Sequence, residues 1–123
     1  VNIIVDTHVY LWALASPDRI PEEQIEQLSS KANRVYVSAV TVSEIMIKAS
    51  IGKLTLSFDP LEMIEQCDFE RLEYSCEDAA ILKELPFHHR DPFDRMLIAQ
   101  SMNRKYAIST VDSRFRMYDC RLV

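Results

Sequence analysis

Apolar and polar positions along this chain fall into alternating blocks of two kinds. Ile3-Ile4-Val5 is a short unbroken apolar run closed by Asp6, the pattern of a strand buried on both faces. Residues 8–16 read as a helix ended by Ser16-Pro17. Pro21 begins a second helix, at the first helical position, that runs to about Ser30. Residues 34–39 read as a second strand through Val35, Tyr36 and Val37. A helix over 41–51 follows, with Gly52 as its left-handed C-terminal residue. Pro60 starts a helix to about Cys67, and 69–74 is a weaker strand. Ser75-x-x-Asp78 has the form of a capping box leading into a helix that ends near Leu85-Pro86. Asp91-Pro92 opens a helix to about Arg104, residues 106–109 form a third clear strand, and 120–123 a final one.

Strands alternate with helices, and no hairpin dipeptide of the Asn-Gly kind joins them. The expected fold class is therefore α/β: a three-layer α/β/α domain with a mainly parallel central sheet. Such sheets place their sites beyond the C-terminal strand ends, where Asp6 and Asp112 both fall. A chain of 123 residues reads as a single domain over 1–123. The longest apolar stretch, 9–15, is far too short to span a membrane, and no signal peptide precedes it, so no membrane partner and a cytoplasmic location are expected.

Composition narrows the chemistry. Three cysteines, Cys67, Cys76 and Cys120, without a C-x-x-C spacing fit a reducing compartment, and none pairs with His8, His88 or His89 at zinc-ligand spacing. The single glycine, Gly52, rules out glycine-rich phosphate loops. The formal charge of −5 argues against a nucleic-acid partner until its distribution is considered. Residues 1–85 carry 7 basic and 15 acidic side chains, whereas residues 86–123 carry 7 basic and 4 acidic ones. The basic third of the chain thus contains Asp94 and Asp112.

Four carboxylates stand where elements meet: Asp6, Glu44, Asp94 and Asp112. Each also has an ordinary explanation. Asp6 after a strand is a common helix cap, stabilising by about 1 kcal/mol. Thr41-x-x-Glu44 has the form of a capping box, and Glu44/Lys48 is a favourable i,i+4 pair. Asp91 suits the cap of the helix that Pro92 opens, which leaves Asp94 at its third position. Asp112 suits a turn. Gathered at one sheet edge they would repel, by about 4 kcal/mol for two charges ~4 Å apart at an effective dielectric of ~20. A divalent cation turns that repulsion into a binding site.

The sequence words around these acids resemble the PIN-domain nucleases, and within them the VapC-type toxins of bacterial toxin–antitoxin modules. The words are Val5-Asp6-Thr7-His8-Val9, Ser38-Ala39-Val40-Thr41-Val42-Ser43-Glu44-Ile45, His89-Arg90-Asp91-Pro92-Phe93-Asp94-Arg95-Met96-Leu97-Ile98-Ala99-Gln100 and Ser109-Thr110-Val111-Asp112-Ser113-Arg114-Phe115. They occur in order and span essentially the whole chain. Thr110-Val111-Asp112 departs from the pattern, with Val where the family often has a polar or basic residue. The resemblance implies a Mg²⁺- or Mn²⁺-dependent endoribonuclease, usually a homodimer, silenced by a cognate antitoxin protein. Carried over by position, Asp6, Glu44, Asp94 and Asp112 become the metal-binding and catalytic acids, with Asp91 as cap or support.

On that reading the metal activates a water for attack on an RNA phosphodiester. Thr7 would hydrogen-bond a water or a phosphate oxygen. Arg90, Arg95 and Arg114 are the candidates for phosphate contacts, and His8 and His88 for acid–base help. Two other readings use the same residues: a non-catalytic module that binds RNA or protein, and a nuclease that cuts DNA.

Overall fold

A computed structural model describes all residues from 1 to 123. The strands are β1 (Asn2–Val5), β2 (Arg34–Ser38), β3 (Glu70–Leu72) and β4 (Ala107–Ser109). The helices are α1 (Thr7–Ala15), α2 (Glu22–Ser29), α3 (Ala39–Ser50), α4 (Met63–Gln66), α5 (Cys76–Ala80) and α6 (Pro92–Arg104). Three 3-10 turns join them, at Pro17–Arg19, Ile81–Glu84 and Ser113–Met117.

All four strands are parallel, in the order β3-β2-β1-β4, with Ile3 beside Val35 and Ile4 beside Ile108. Alternation along the strands sorts the core into two layers, as the two-residue repeat requires. Val5, Val35 and Val37 face one way and pack with Val9 and Tyr10 of α1, Ile45 of α3 and Ile64 of α4. Ile4 and Tyr36 face the other way and meet Leu97 of α6, with Ile108 packing on Ile98 beside them. The expected three-layer α/β/α arrangement with a parallel sheet is the one observed.

Helix starts show how local chemistry fixed the elements. Ser75 and Asp78 form the capping box read from the sequence, with Ser75 Oγ accepting from Asp78 N at 3.1 Å and Asp78 Oδ2 from Ser75 N at 2.9 Å. Asp91 caps α6, and Pro92 opens it. Helix α3 departs from expectation. It begins at Ala39, capped by Ser38 Oγ at 3.1 Å from Val40 N, so Thr41 is no cap and no capping box with Glu44 forms. The reason is room: β2 passes straight into the helix, and a hydroxyl at its last residue already meets the free amides. The helix ends at Gly52 (φ +75°), where Lys53 N donates to Lys48 O at 2.9 Å.

Two other expectations shrink. The helix after Pro60 is reduced to the four residues of α4, and the C-terminal strand to a single bridge between Leu122 and Ile108. No helix is long and apolar enough to cross a membrane.

Candidate functional site

Beyond the C-terminal ends of β1 and β4 the backbone pairing continues for one step, with Asp6 N donating to Ser109 O at 3.0 Å. Asp6 is almost wholly buried. Its Oδ1 caps α1 by accepting from Val9 N at 2.8 Å, and its Oδ2 accepts from the Thr110 hydroxyl at 2.5 Å. Thr110 Oγ1 in turn accepts from Asp112 N at 3.0 Å, so one threonine ties the acid after β1 to the acid after β4.

Glu44, in the second turn of α3, is also buried. Thr7 donates its hydroxyl to Glu44 Oε1 at 2.7 Å and lies 3.2 Å from the Thr41 hydroxyl. Lys48 Nζ holds Glu44 Oε2 at 2.6 Å. Thr7 therefore orients Glu44, a role different from the water or phosphate contact expected of it.

Asp94 stands at the start of α6, where its amide is taken by Asp91 Oδ1 at 3.0 Å. Its carboxylate points away from that cap: Oδ2 lies 2.8 Å from His89 Nε2, and no donor reaches Oδ1. The His89 ring is itself buried, edge-on to Phe115. Asp91 N donates to His89 Nδ1 at 3.2 Å, which leaves the ring proton on Nε2. That proton faces Asp94 Oδ2 at 2.8 Å and Asp112 Oδ2 at 3.3 Å. His89 is thus a donor tethering two acids. Sequence reading passed over it for His8 and His88. His88 is exposed and lies edge-on to Tyr118, and His8 is exposed beside Trp12.

Asp112 is the most fully satisfied of the four. Arg114 gives it a two-pronged pair, Nε to Oδ1 at 3.0 Å and Nη2 to Oδ2 at 2.8 Å, and the Arg114 amide adds a third bond to Oδ1 at 2.9 Å. Burial works against its charge, but these bonds with Arg114 prevail and hold its pKa below the usual aspartate value.

The remaining two acids behave in the opposite way. Burial raises the pKa of Asp6, with the charge of Asp112 adding to it against the bonds from Thr110 and Val9. Burial raises Asp94 too, and the charges of Asp91, Asp6 and Glu44 push in the same direction, to about 6. The four predicted acids therefore gather at one sheet edge but divide into two kinds. Glu44 and Asp112 each have a cation of this chain; Asp6 and Asp94 have none.

Of the arginines expected near phosphate, Arg90 is exposed and Arg114 lies at the site. Arg95 does not. It is 8% exposed, and its guanidinium donates to Pro86 O, His89 O, Leu85 O and the Tyr118 hydroxyl, with Phe87 over its face. An arginine one position after Asp94 on the helix points into the core, where it holds the loop that carries His89.

The donor set suits a hard divalent cation. The open acceptor positions are carboxylate oxygens, and Asp6, buried, and Asp94, partly buried, have charges opposed by their surroundings and lack a Lys or Arg partner. His89, Asp94 and Asp112 each bring a ligand-type atom within 4.8 Å of the others. The ring proton on Nε2 makes His89 a support for the acids rather than a ligand.

Comparison with known proteins places this arrangement in a family. No curated protein matches the sequence. Among solved structures, VapBC2 from Rickettsia felis bound to a DNA fragment from its promoter has a chain that superposes with a TM-score of 0.76 at 14% identity, covering 100% of this chain and 98% of that one. DNA-bound VapBC from Salmonella typhimurium gives 0.69 at 19% identity over 100% and 97%. FitAcB from Neisseria gonorrhoeae gives 0.64 at 21% identity over 98% and 95%. At such identities the likeness is one of fold. The sequence also matches the PIN-domain profile across residues 3–119, a span that includes all four acids, and the chain belongs to the PIN-domain family.

Proposed function

We propose that this protein is a divalent-metal-dependent endoribonuclease acting as the toxin of a toxin–antitoxin pair. The observation that carries the reading is the pairing of Asp6 and Asp94. Asp6 is buried and Asp94 partly buried, the charge of Asp6 raises the pKa of Asp94, and neither carboxylate has a Lys or Arg partner, in a chain of the PIN family. Asp6 and Asp94 would hold Mg²⁺ or Mn²⁺, with Glu44 and Asp112 at the edges of the same ligand sphere. Such an ion lowers the pKa of water and offsets the charge that gathers on phosphoryl oxygens.

The chain's own residues do the rest. Thr110 and the Val9 amide fix both oxygens of Asp6, leaving one lone pair on each for a ligand. The His89 Nε2 proton fixes Asp94 and Asp112 relative to each other, so the acids are positioned before substrate arrives. Thr7 does the same for Glu44. The exposed Arg90 suits contact with the RNA backbone.

The partner expectations have physical support as well. An open groove of about 610 Å³ runs between α1, α2 and the end of α4, lined by Ile20, Ile25, Leu28, Cys67 and Phe69. It suits an apolar segment of an antitoxin, and the VapBC structures that share the fold are toxin–antitoxin complexes. Ile47 on α3 and Ile51 at its C-terminal cap are 49% and 61% exposed and suit a homodimer contact. A cytoplasmic location follows from the proposed RNA substrate.

The test is cleavage of matched RNA and DNA substrates with Mg²⁺ or Mn²⁺. RNA should be cut and DNA spared. Asp6→Asn and Asp94→Asn should each lower turnover by more than about a hundredfold, since even outer partners of a metal ligand are worth 10–100-fold. Asp91→Asn should retain much of the activity, because asparagine also caps a helix. Undiminished turnover in both Asp6→Asn and Asp94→Asn rejects the assignment.

A further inference from the structure

The division of the acids raises the question of what the two built-in cations do once a metal ion and a substrate are present. Lys48 and Arg114 reach the site from different elements, one on α3 and one on the turn after β4. The charge of Asp94 is felt at both, and so is that of Asp91. Neither cation is built into the core. The Lys48 side chain is 40% exposed and that of Arg114 58%, whereas the acids they hold, Glu44 and Asp112, are 3% and 22% exposed. Contrast Arg95, whose guanidinium is locked by four acceptors of the core. Lys48 has one side-chain partner, Glu44 Oε2, and Arg114 has one, Asp112.

A divalent ion held by the site's acids would add two positive charges near these cations and would compete with them for Glu44 and Asp112. A polynucleotide strand bound at the site would carry phosphates on both sides of the scissile one, and Lys48 and Arg114 are the exposed cations available to meet them. We infer that Lys48 and Arg114 are exchangeable counter-ions of the site, neutralising Glu44 and Asp112 in the free protein and turning to the RNA phosphates that flank the scissile bond when metal and substrate bind. The inference rests on the endoribonuclease reading and gives that site its substrate contacts. Chemistry suits each side chain to the exchange: the ammonium of lysine is a point charge on a flexible stem, and the guanidinium fork fits phosphate as well as carboxylate.

Exchange makes two measurable demands of opposite sign. Removing either cation should weaken the hold on RNA and strengthen the hold on metal. RNA binding is read by fluorescence anisotropy of a labelled single-stranded oligonucleotide, with Ca²⁺ in place of Mg²⁺, across a salt series. Lys48→Gln and Arg114→Gln should each flatten the slope of log affinity against log salt by about 0.7, and the double variant by about 1.4. Lys31→Gln, on the exposed loop before β2, should leave the slope unchanged. Lys48→Arg and Arg114→Lys keep the charge and should keep the slope, which separates lost charge from lost packing. Metal binding is read by electron paramagnetic resonance of free Mn²⁺ without RNA. There each glutamine variant should bind tighter, on the order of thirtyfold, the effect of one unit charge on a divalent ion at about 4 Å in water. Unchanged slopes, or unchanged Mn²⁺ affinity, overturn the exchange while leaving the nuclease reading intact. If the unaltered protein binds no RNA at all, both fall together.

Discussion

Asp94 carries a charge at neutral pH that its surroundings oppose. Its pKa in the folded chain, about 6, lies above the ordinary 3.8. As pH rises from 3.8 towards 6, the unfolded chain releases this proton while the folded one keeps it. Stability therefore falls across that window, and the loss is complete above it. Asp94→Asn should raise the melting temperature of metal-free protein at pH 7 by roughly 10 °C, with the gap closing below pH 4. Melts followed by circular dichroism in EDTA decide the point. The four acids were legible in the sequence because each breaks an apolar context. Their division into paired and unpaired was half legible: Lys48 sits one turn from Glu44 on a helix, but nothing local says that Arg114 folds back onto Asp112. His89 was missed because His88 and His89 precede the helix in a loop, where no periodicity tells which ring turns inward.

At the scale of elements, α5 and α6 are joined by a buried acid remote from the site. Asp78 is fully buried and accepts from Asn103 Nδ2 at 2.8 Å, Arg104 Nη2 at 3.1 Å and Gln100 Nε2 at 3.4 Å, as well as from its own capping partner. Burial alone would raise its pKa, but the bonds from Arg104, Ser75 and Asn103 prevail and bring it to about 2. The sign is the reverse of that for Asp94. The stabilisation is fully present above pH 3.8 and disappears as pH falls towards 2. Asp78→Asn should cost about 2 kcal/mol at pH 7 in urea unfolding, and progressively less between pH 4 and 2. The sequence showed Asp78 only as a cap, since a cap is written within four residues. The clamp to Arg104 spans 26 positions and becomes visible only when the two helices pack. The start of α3 teaches a related lesson. Ser38 and Thr41 both have capping chemistry, and the choice between them was made by where β2 ends.

Across the whole molecule, alternation of strand and helix was enough to give the layers and the parallel sheet. It did not give the strand order β3-β2-β1-β4, which depends on pairings between distant segments. The order matters because it puts β1 and β4 side by side and brings both basic and acidic ends of the chain to one edge. Residues from β1, α1, α3, α6 and the turn after β4 then meet at the site, so an ion bound there joins segments that otherwise touch only through side chains. A ligand that binds the folded form alone stabilises it by about 2.7 kcal/mol at a hundred times its dissociation constant. Saturating Mg²⁺ or Mn²⁺ should raise the melting temperature by roughly 10 °C, and EDTA should reverse it. Asp6→Asn should show little response, which calorimetric scans can establish.

The bond from Thr110 to Asp6 spans 104 positions, and the strand that brings it there, β4, is the last of the sheet to be synthesised. On the ribosome, the acid after β1 emerges early and waits for its positioning partner until nearly the whole domain has been translated. The candidate site is therefore incomplete until the last strand of the sheet has been made. The long-range contact thus acts as a timer that ties assembly of the site to completion of the domain.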